Sequence, residues 1–226
     1  MNWLDVTGPP GVGKSTLCDP IYSHREIGWD NKLPPAYWKQ YLDEITQLCR
    51  LVEDHPSFEA VVRMNNRTIR KMATVERMEQ PEGRPPYIHV GFIQRITGFG
   101  WRLHEMGRDV NLIRPALWRM PVSLGAAFLE ASPETVKQRN HARREVAETA
   151  HEDRAHMVDP MLPSIEIAKE VLHERGVPVV TIDVEHQEPN ASRKCLVDFA
   201  GENTGYTPPV RYCREVEAVS PPGFWV

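Results

Sequence analysis

The residues best suited to chemistry lie near the amino terminus, in the stretch Gly8-Pro9-Pro10-Gly11-Val12-Gly13-Lys14-Ser15. This stretch meets every position of the phosphate-binding pattern G-x-x-x-x-G-K-[ST]. Its glycines let successive backbone N–H groups turn inward around a phosphate. Lys14 is placed to reach the β- and γ-phosphates as a catalytic point charge, and the Ser15 hydroxyl is placed to bind Mg²⁺. We therefore expect residues 8–16, including Thr16, to bind ATP or another nucleoside triphosphate.

The segments on both sides of this loop agree with the pattern. Residues 3–7 form a short apolar run that predicts a β-strand, and residues from Ser15 onward open a helix. A strand, a loop and a helix in this order are the setting that the motif requires. The alternative is a Gly/Pro turn that fits the pattern by chance.

The composition is that of an ordinary globular protein. The chain has 226 residues, of which 41% are apolar and 26% are charged, and its formal net charge is −4. This charge argues against a generally cationic nucleic-acid coat, although it allows a local basic groove. The four cysteines show no C-x-x-C spacing, which indicates reduced thiols and a cytoplasmic location, that of the host if the protein is viral. No apolar run approaches the ~20 residues that span a bilayer, and no signal peptide is evident, so we expect no membrane partner.

A loop between Gly28 and Pro34-Pro35 carries the first candidate for an acid that faces the acceptor, Asp30. We expect this loop at the carboxyl edge of the sheet, where α/β proteins bind ligands. The alternative is a helix cap or a solvated loop residue.

Residues 35–79 predict two helices, and the second is rich in basic side chains. Arg63, Arg67 and Arg70 recur at spacings that place them on adjoining faces. They could form a solvated basic face, or a site that holds the phosphates of a nucleotide or of a nucleic-acid strand.

The next segment carries a family resemblance. An apolar strand at 87–90 is followed by Gly91 and Phe92, and then by Gln94 and Arg95. This pattern resembles the P-loop nucleoside and nucleotide kinases, and it implies acceptor contacts from Gln94 and Arg95. The family has an acidic pair where this chain has His89 and Val90. Either another carboxylate supplies the charge, with Asp30 first and then Glu26 or Asp5, or the protein binds nucleotide with weakened chemistry.

Residues 128–143 resemble the same family, in which a strand, a Ser/Pro-Glu turn and an Arg-x-x-x-Arg helix form a lid over the triphosphate. The resemblance implies that Arg139 and Arg143, one helical turn apart, stabilise the transferring phosphoryl group. A solvated basic helix is the alternative. The resemblance also implies a lid at 139–156 and backbone contacts with adenine near 185–190.

Together these features predict an α/β fold of three layers, with a mostly parallel central sheet, a helical acceptor insertion at 35–79 and a lid at 139–156. We expect the P-loop domain to cover residues 1–203, because glycine and proline predict a loss of regular structure from Gly201. Residues 204–226 are then a tail rich in proline and aromatic residues.

The implied activity is transfer of the γ-phosphoryl group of ATP to a hydroxyl. Within the family, the chain most resembles the bacteriophage kinases that phosphorylate 5-hydroxymethyluracil in DNA during thymidine hypermodification. A deoxynucleoside monophosphate kinase or nucleoside kinase is the first alternative. A nucleotide-dependent binding or switch protein with weak catalysis is the second.

Overall fold

The computed structural model describes residues 3–18, 34–77, 87–89, 91–121, 124–146 and 154–204. Four strands form one parallel sheet: β1 (Trp3–Thr7), β2 (Tyr87–His89), β3 (Gly125–Glu130) and β4 (Val179–Asp183). Their order across the sheet is β2-β1-β3-β4. After β1 the chain forms β2 on one side of β1, and it later forms β3 on the other side. The carboxyl ends of β1 and β3 therefore flank a topological switch point. Ligands bind at such points in open α/β sheets.

Most of the described chain is helical. The helices are α1 (Lys14–Cys18), α2 (Lys39–Leu51), α3 (Phe58–Arg77), α4 (Phe92–Glu105), α5 (Arg114–Arg119), α6 (Pro133–Val146), α7 (Val158–Glu174) and α8 (Pro189–Thr204). Short 3₁₀ turns at Ala36–Trp38, Val110–Ile113 and Ala155–Met157 precede α2, α5 and α7. Among the described residues, none of the helices combines the length and the hydropathy of a membrane span.

The sheet separates two hydrophobic cores, because side chains alternate along each strand. Trp3 packs with residues of α2, α3, α4, α5 and α7 in the larger core. Leu4 and Val6 point the other way and pack with residues of α1, α6 and α8. The predicted α/β class with a parallel sheet is therefore confirmed, with helices packed on both faces of the sheet.

Proline and glycine bear on two of the helix boundaries. Val110–Ile113 form a 3₁₀ turn and α5 begins only at Arg114, because Pro115 fits only the first turn of an α-helix. The prediction that regular structure ends at Gly201 is wrong, since α8 continues to Thr204. A glycine inside a helix costs about 1 kcal/mol, and packing of Leu196, Val197 and Ala200 in the smaller core offsets this cost.

Candidate functional site

The glycine-rich loop leaves the carboxyl end of β1 and leads directly into α1. Gly8, Gly11 and Gly13 have φ angles of 147°, 86° and 110°, which side-chain-bearing residues rarely adopt. A Cβ at Gly8 would also lie 2.6 Å from the carbonyl oxygen of Leu129 on β3. A Cβ at Gly13 would meet nothing within 4 Å, so there the φ angle alone requires glycine. These three positions give the loop a backbone path that no other residue type follows without strain.

Lys14 folds back over the loop that precedes it. Its Nζ donates hydrogen bonds to the carbonyl oxygens of Gly8 (2.6 Å) and Pro9 (2.8 Å). The side chains of Ser15 and Thr16 are exposed on the first turn of α1. The ammonium group and the two hydroxyls thus come from three consecutive residues at the start of α1.

Asn140 on α6 holds the glycine-rich loop by a hydrogen bond to its backbone, a contact that the sequence did not predict. Its Nδ2 donates to the carbonyl oxygens of Pro10 (2.8 Å) and Val136 (3.0 Å). The side chain is buried, and a Cβ added to Gly11 would come within 2.5 Å of Nδ2. Gly11 is thus required by close packing as well as by its φ angle. Residue spacing holds no signal for this contact, because 130 positions separate Pro10 from Asn140.

Arg139, predicted to bind phosphate, lies one residue earlier on α6 and faces the same loop. Its Nη1 lies 3.4 Å from the carbonyl oxygen of Val12, and its Nη2 donates to the carbonyl oxygen of Val184 at 3.0 Å. The guanidinium therefore bridges the glycine-rich loop and the segment that follows β4.

A pocket of about 390 Å³ opens beside this bridge. Its walls come from the loop and α1, from Arg139, from the segment after β4 and from the start of α8; they are formed by Val12, Gly13, Thr16, Leu17, Arg139, Val184, Glu185, His186, Gln187, Glu188, Pro189, Ser192 and Arg193. Arg193 is buried, and its Nη2 donates to the carbonyl oxygen of Thr16 at 3.2 Å. Arg193 lies within an ordinary helix, where no local pattern marks it as a site residue.

Glu185 fixes one wall of the pocket to the start of α6. Its carboxylate accepts hydrogen bonds from the Thr135 hydroxyl (2.6 Å), the Ser132 backbone N–H (2.5 Å) and the Ser132 hydroxyl (2.9 Å). These bonds, that of Thr135 first, hold the pKa of Glu185 below its usual value. The carboxylate also carries negative charge at a helix amino terminus, where the macrodipole favours it.

A second polar region lies on the other side of β1, where α3 and α4 meet. The Thr7 hydroxyl contacts Oε1 of Gln94 at 3.2 Å, and Arg95 Nε donates to the Thr68 hydroxyl at 2.8 Å. Burial lowers the pKa of Arg95. Burial, with the nearby charge of Arg95, also lowers the pKa of Lys71 to about 8.

Asp5 and Tyr41 are fully buried beside this region. Desolvation raises the pKa of Asp5 to about 7, although the N–H groups of Trp3 and Gly91 oppose the shift. A Cβ at Gly91 would lie 1.9 Å from Asp5 Oδ1, so glycine at 91 leaves the space that this carboxylate occupies. Among the described residues, Asp5 Oδ1 and the Tyr41 hydroxyl have no hydrogen-bond partner.

The predicted acceptor residues fall into two groups. Gln94 and Arg95 are partly buried between α3, α4 and β1, whereas Arg63, Arg67 and Arg70 are exposed on the outer face of α3. The structure therefore does not bring the three arginines of α3 together with Gln94 and Arg95.

Other predicted residues lie partly or wholly outside the described structure. Asp30, Glu26 and residues 147–153 of the expected lid are outside the described residues, as is the tail from 205 onward. The backbone of Arg143 lies in α6 and that of His89 in β2, and neither side chain is described.

Within the described ranges, no cluster of three or more His, Cys, Asp or Glu side chains is arranged to hold a metal ion. The sequence matches no protein-family model and no curated protein.

Proposed function

We propose that this protein is an ATP-dependent phosphotransferase that moves the γ-phosphoryl group to a hydroxyl of a nucleoside-type acceptor. The observation that carries the proposal is the loop at the end of β1, in which three glycines adopt positive φ angles immediately before Lys14. Backbone N–H groups of such a loop can surround a phosphate. The expected P-loop NTPase fold agrees with the parallel sheet and with the position of this loop at its switch point.

The residues around the loop suit a nucleoside triphosphate. Lys14 would exchange its bonds to loop carbonyls for phosphate oxygens, and Arg139 already reaches the loop from α6. When bound, Mg²⁺ would neutralise part of the phosphate charge, and the exposed Ser15 hydroxyl is the side chain suited to hold it. The pocket beside Thr16 and Leu17 is suited to the nucleoside part of the donor.

The favoured acceptor is 5-hydroxymethyluracil in phage DNA. This choice rests on the resemblance of residues 91–95 to the kinase family named above. A deoxynucleoside monophosphate or a nucleoside is the alternative acceptor. Binding to DNA phosphates would weaken steeply with added salt, whereas binding of a small nucleotide would depend on salt only weakly.

A nucleotide-dependent switch protein with weak catalysis is a second candidate, and one observation favours it. Positions 89 and 90 hold no acidic residue. Of the alternative carboxylates, Asp5 is among the described residues, and its side chain is fully buried on the side of the sheet that faces the larger core. If the missing pair limits catalysis, the double variant His89→Asp with Val90→Glu will increase turnover. An unchanged rate would favour a carboxylate placed elsewhere, such as Asp30.

The proposal is tested by transfer of labelled γ-phosphate from ATP and Mg²⁺ to DNA containing 5-hydroxymethyluracil, to ordinary DNA, and to free nucleosides and monophosphates. We expect Lys14→Ala to lower transfer by about a hundredfold or more, because the lysine stabilises charge that develops in the transition state. Lys39→Ala is the matched control, since Lys39 is exposed on α2 and pairs with Asp43 of the same helix.

The possible outcomes separate the candidates. Label on the modified DNA alone would identify a DNA base kinase, and label on a free nucleotide would identify a metabolic kinase. Full activity of Lys14→Ala would refute the proposed role of the loop. ATP binding without transfer to any acceptor would favour the switch protein.

A further inference from the structure

Exposed arginines follow one face of α3. Arg63, Arg67 and Arg70, together called the arginine stripe, are spaced so that their side chains lie on the same side of the helix on neighbouring turns. None of the ion pairs found in the described part of the chain includes a member of this stripe. The stripe is therefore a line of positive charge that faces solvent.

Electrostatics within α3 disfavours the stripe. Like charges three or four residues apart on a helix destabilise it, and the members of the stripe are separated by these spacings. The acidic residues of α3 lie near its ends: Glu59 is in the first turn, and Glu76 accepts a hydrogen bond from the Tyr37 hydroxyl. The opposite face of the helix, which includes Thr68 and Met72, is buried without help from the stripe. A negatively charged partner would remove the repulsion that the fold leaves in place.

The length of the stripe matches a DNA backbone. Arg63 and Arg70 lie roughly 10 Å apart along the helix axis, at a rise of about 1.5 Å per residue. One strand of B-DNA carries a phosphate about every 3.4 Å along the duplex axis, so a duplex beside α3 presents about three phosphates to the stripe. The planar guanidinium of arginine forms paired hydrogen bonds with phosphate oxygens. Basic side chains clustered along one helix are the electrostatic feature expected of a nucleic-acid-binding surface.

The stripe lies close to the reaction site that we propose. Thr68, which follows Arg67 on α3, is on the buried side of the helix and accepts a hydrogen bond from Arg95 Nε at 2.8 Å. Arg95 is in the first turn of α4 beside Gln94, and Gln94 contacts Thr7 at the end of β1. The stripe is therefore about one helix diameter, roughly 10 Å, from the amino terminus of α4. This distance corresponds to about three nucleotides along a strand.

We propose that the arginine stripe binds the phosphate backbone of duplex DNA next to the acceptor base. This inference rests on the proposed function, because it concerns how the DNA acceptor of that reaction is held. The stripe contacts phosphates, so it provides affinity without reading sequence. The target base leaves the stack to reach the site beside the glycine-rich loop, as enzymes that modify bases in duplex DNA require. The flanking duplex meanwhile stays on α3. Because the whole chain has a formal net charge of −4, this local surface supplies the attraction.

The first measurement is DNA binding in the absence of nucleotide. A short, fluorescently labelled duplex of ordinary DNA is titrated with the full chain, and its anisotropy is followed between about 50 and 200 mM KCl. Each phosphate contact contributes about 0.9 to the slope of log affinity against log salt. The combined variant Arg63→Gln, Arg67→Gln and Arg70→Gln should therefore reduce this slope by about 2 to 3. Arg67→Gln alone should reduce it by about 1.

A matched variant removes the same charge from another part of the surface. Arg50, Arg108 and Arg119 are exposed and lie outside α3, and Arg50→Gln, Arg108→Gln and Arg119→Gln combined should leave the slope unchanged. An equal reduction in this variant would show that net charge attracts the DNA, and it would overturn the inference. Thermal unfolding of both variants checks that each is folded.

A second measurement connects the surface to the reaction. Transfer of labelled γ-phosphate from ATP is measured on duplex DNA that contains 5-hydroxymethyluracil. The stripe variant should raise KM for this duplex at least roughly tenfold with little change in kcat, because phosphate contacts on α3 bind substrate and transition state equally. Transfer with an unchanged KM would overturn the inference and leave the proposed function standing.

Other outcomes separate the inference from the proposed function. Stripe-dependent binding of the duplex without transfer to any acceptor would refute the proposed function and leave the DNA surface standing. Equal salt slopes for the native protein and the stripe variant would overturn the inference whether or not transfer occurs. A single-stranded oligonucleotide and vesicles of an anionic phospholipid are the comparison ligands. Tighter stripe-dependent binding of either one than of the duplex would overturn the choice of duplex DNA.

Discussion

Asn140 shows how a single side chain can set the shape of the glycine-rich loop. It donates to the carbonyl oxygen of Pro10 and fills the space beneath Gly11. The loop presents its N–H groups in one direction only if its carbonyls are held in the other. The side chain on α6 therefore holds the loop in one conformation, as the phosphate binding that we propose would require.

We predict that Asn140→Ala weakens binding of a non-hydrolysable ATP analogue by about tenfold and lowers the free energy of unfolding by about 1 kcal/mol, since the Pro10 carbonyl loses its donor. Calorimetric titration and urea unfolding measure the two effects. Asn66→Ala is the control, because Asn66 is exposed on α3. Unchanged affinity in Asn140→Ala would show that the loop holds its shape without this contact.

At the scale of elements, Glu185 ties the segment after β4 to the start of α6. It satisfies the Ser132 N–H and both nearby hydroxyls, so one carboxylate positions the helix that carries Arg139 and Asn140. The same residue lines the pocket beside the loop. A change at Glu185 should therefore affect both folding and donor binding.

We predict that Glu185→Gln lowers the midpoint of thermal unfolding by a few degrees at neutral pH. The pKa of Glu185 is lowered in the folded state, chiefly by the Thr135 hydroxyl, so its carboxylate stabilises the fold above the usual pKa of 4.5. This stabilisation disappears as the pH falls through the lower pKa that Glu185 has in the folded protein. The difference between the two proteins should thus shrink in acid. Glu188→Gln makes the same charge change at an exposed residue of the same pocket, and an equal loss there would contradict the prediction.

Local sequence predicts those parts of the site that depend on backbone conformation. Glycine spacing specified the loop, because positive φ angles are a property of individual residues. Helical periodicity also placed the basic residues of α3 correctly along the helix. It could not show which face packs against α4: Arg63 and Arg70 are exposed, whereas the neighbouring Lys71 is partly buried. Contacts such as Asn140 with Pro10 depend on how distant elements pack, which no local pattern encodes.

At the scale of the whole molecule, β1 is shared by both hydrophobic cores and also begins the glycine-rich loop. Asp5 lies in the middle of this strand and is fully buried. Its neighbours Trp3 and Gly91 provide only N–H groups to offset desolvation. The stability of the entire fold should therefore depend on the protonation of this one carboxyl group.

The direction of this dependence follows from proton binding. The pKa of Asp5 rises from 3.8 to about 7 on folding because burial disfavours the charged form. Between these two values the folded state binds more protons than the unfolded state. Asp5 therefore makes the free energy of unfolding decrease as the pH rises through this range, by up to about 1.4 kcal/mol per pH unit.

We predict that Asp5→Asn removes this contribution, so that stability falls less steeply than in the native protein between pH 4.5 and pH 7. Urea unfolding at half-unit pH intervals measures both slopes. Asp43→Asn is the control, because Asp43 is exposed and pairs with Lys39 on the surface of α2. Parallel curves for Asp5→Asn and the native protein would show that Asp5 is ionised in the folded state at low pH. In that case the carboxylate would have to be stabilised by a partner beyond Trp3 and Gly91.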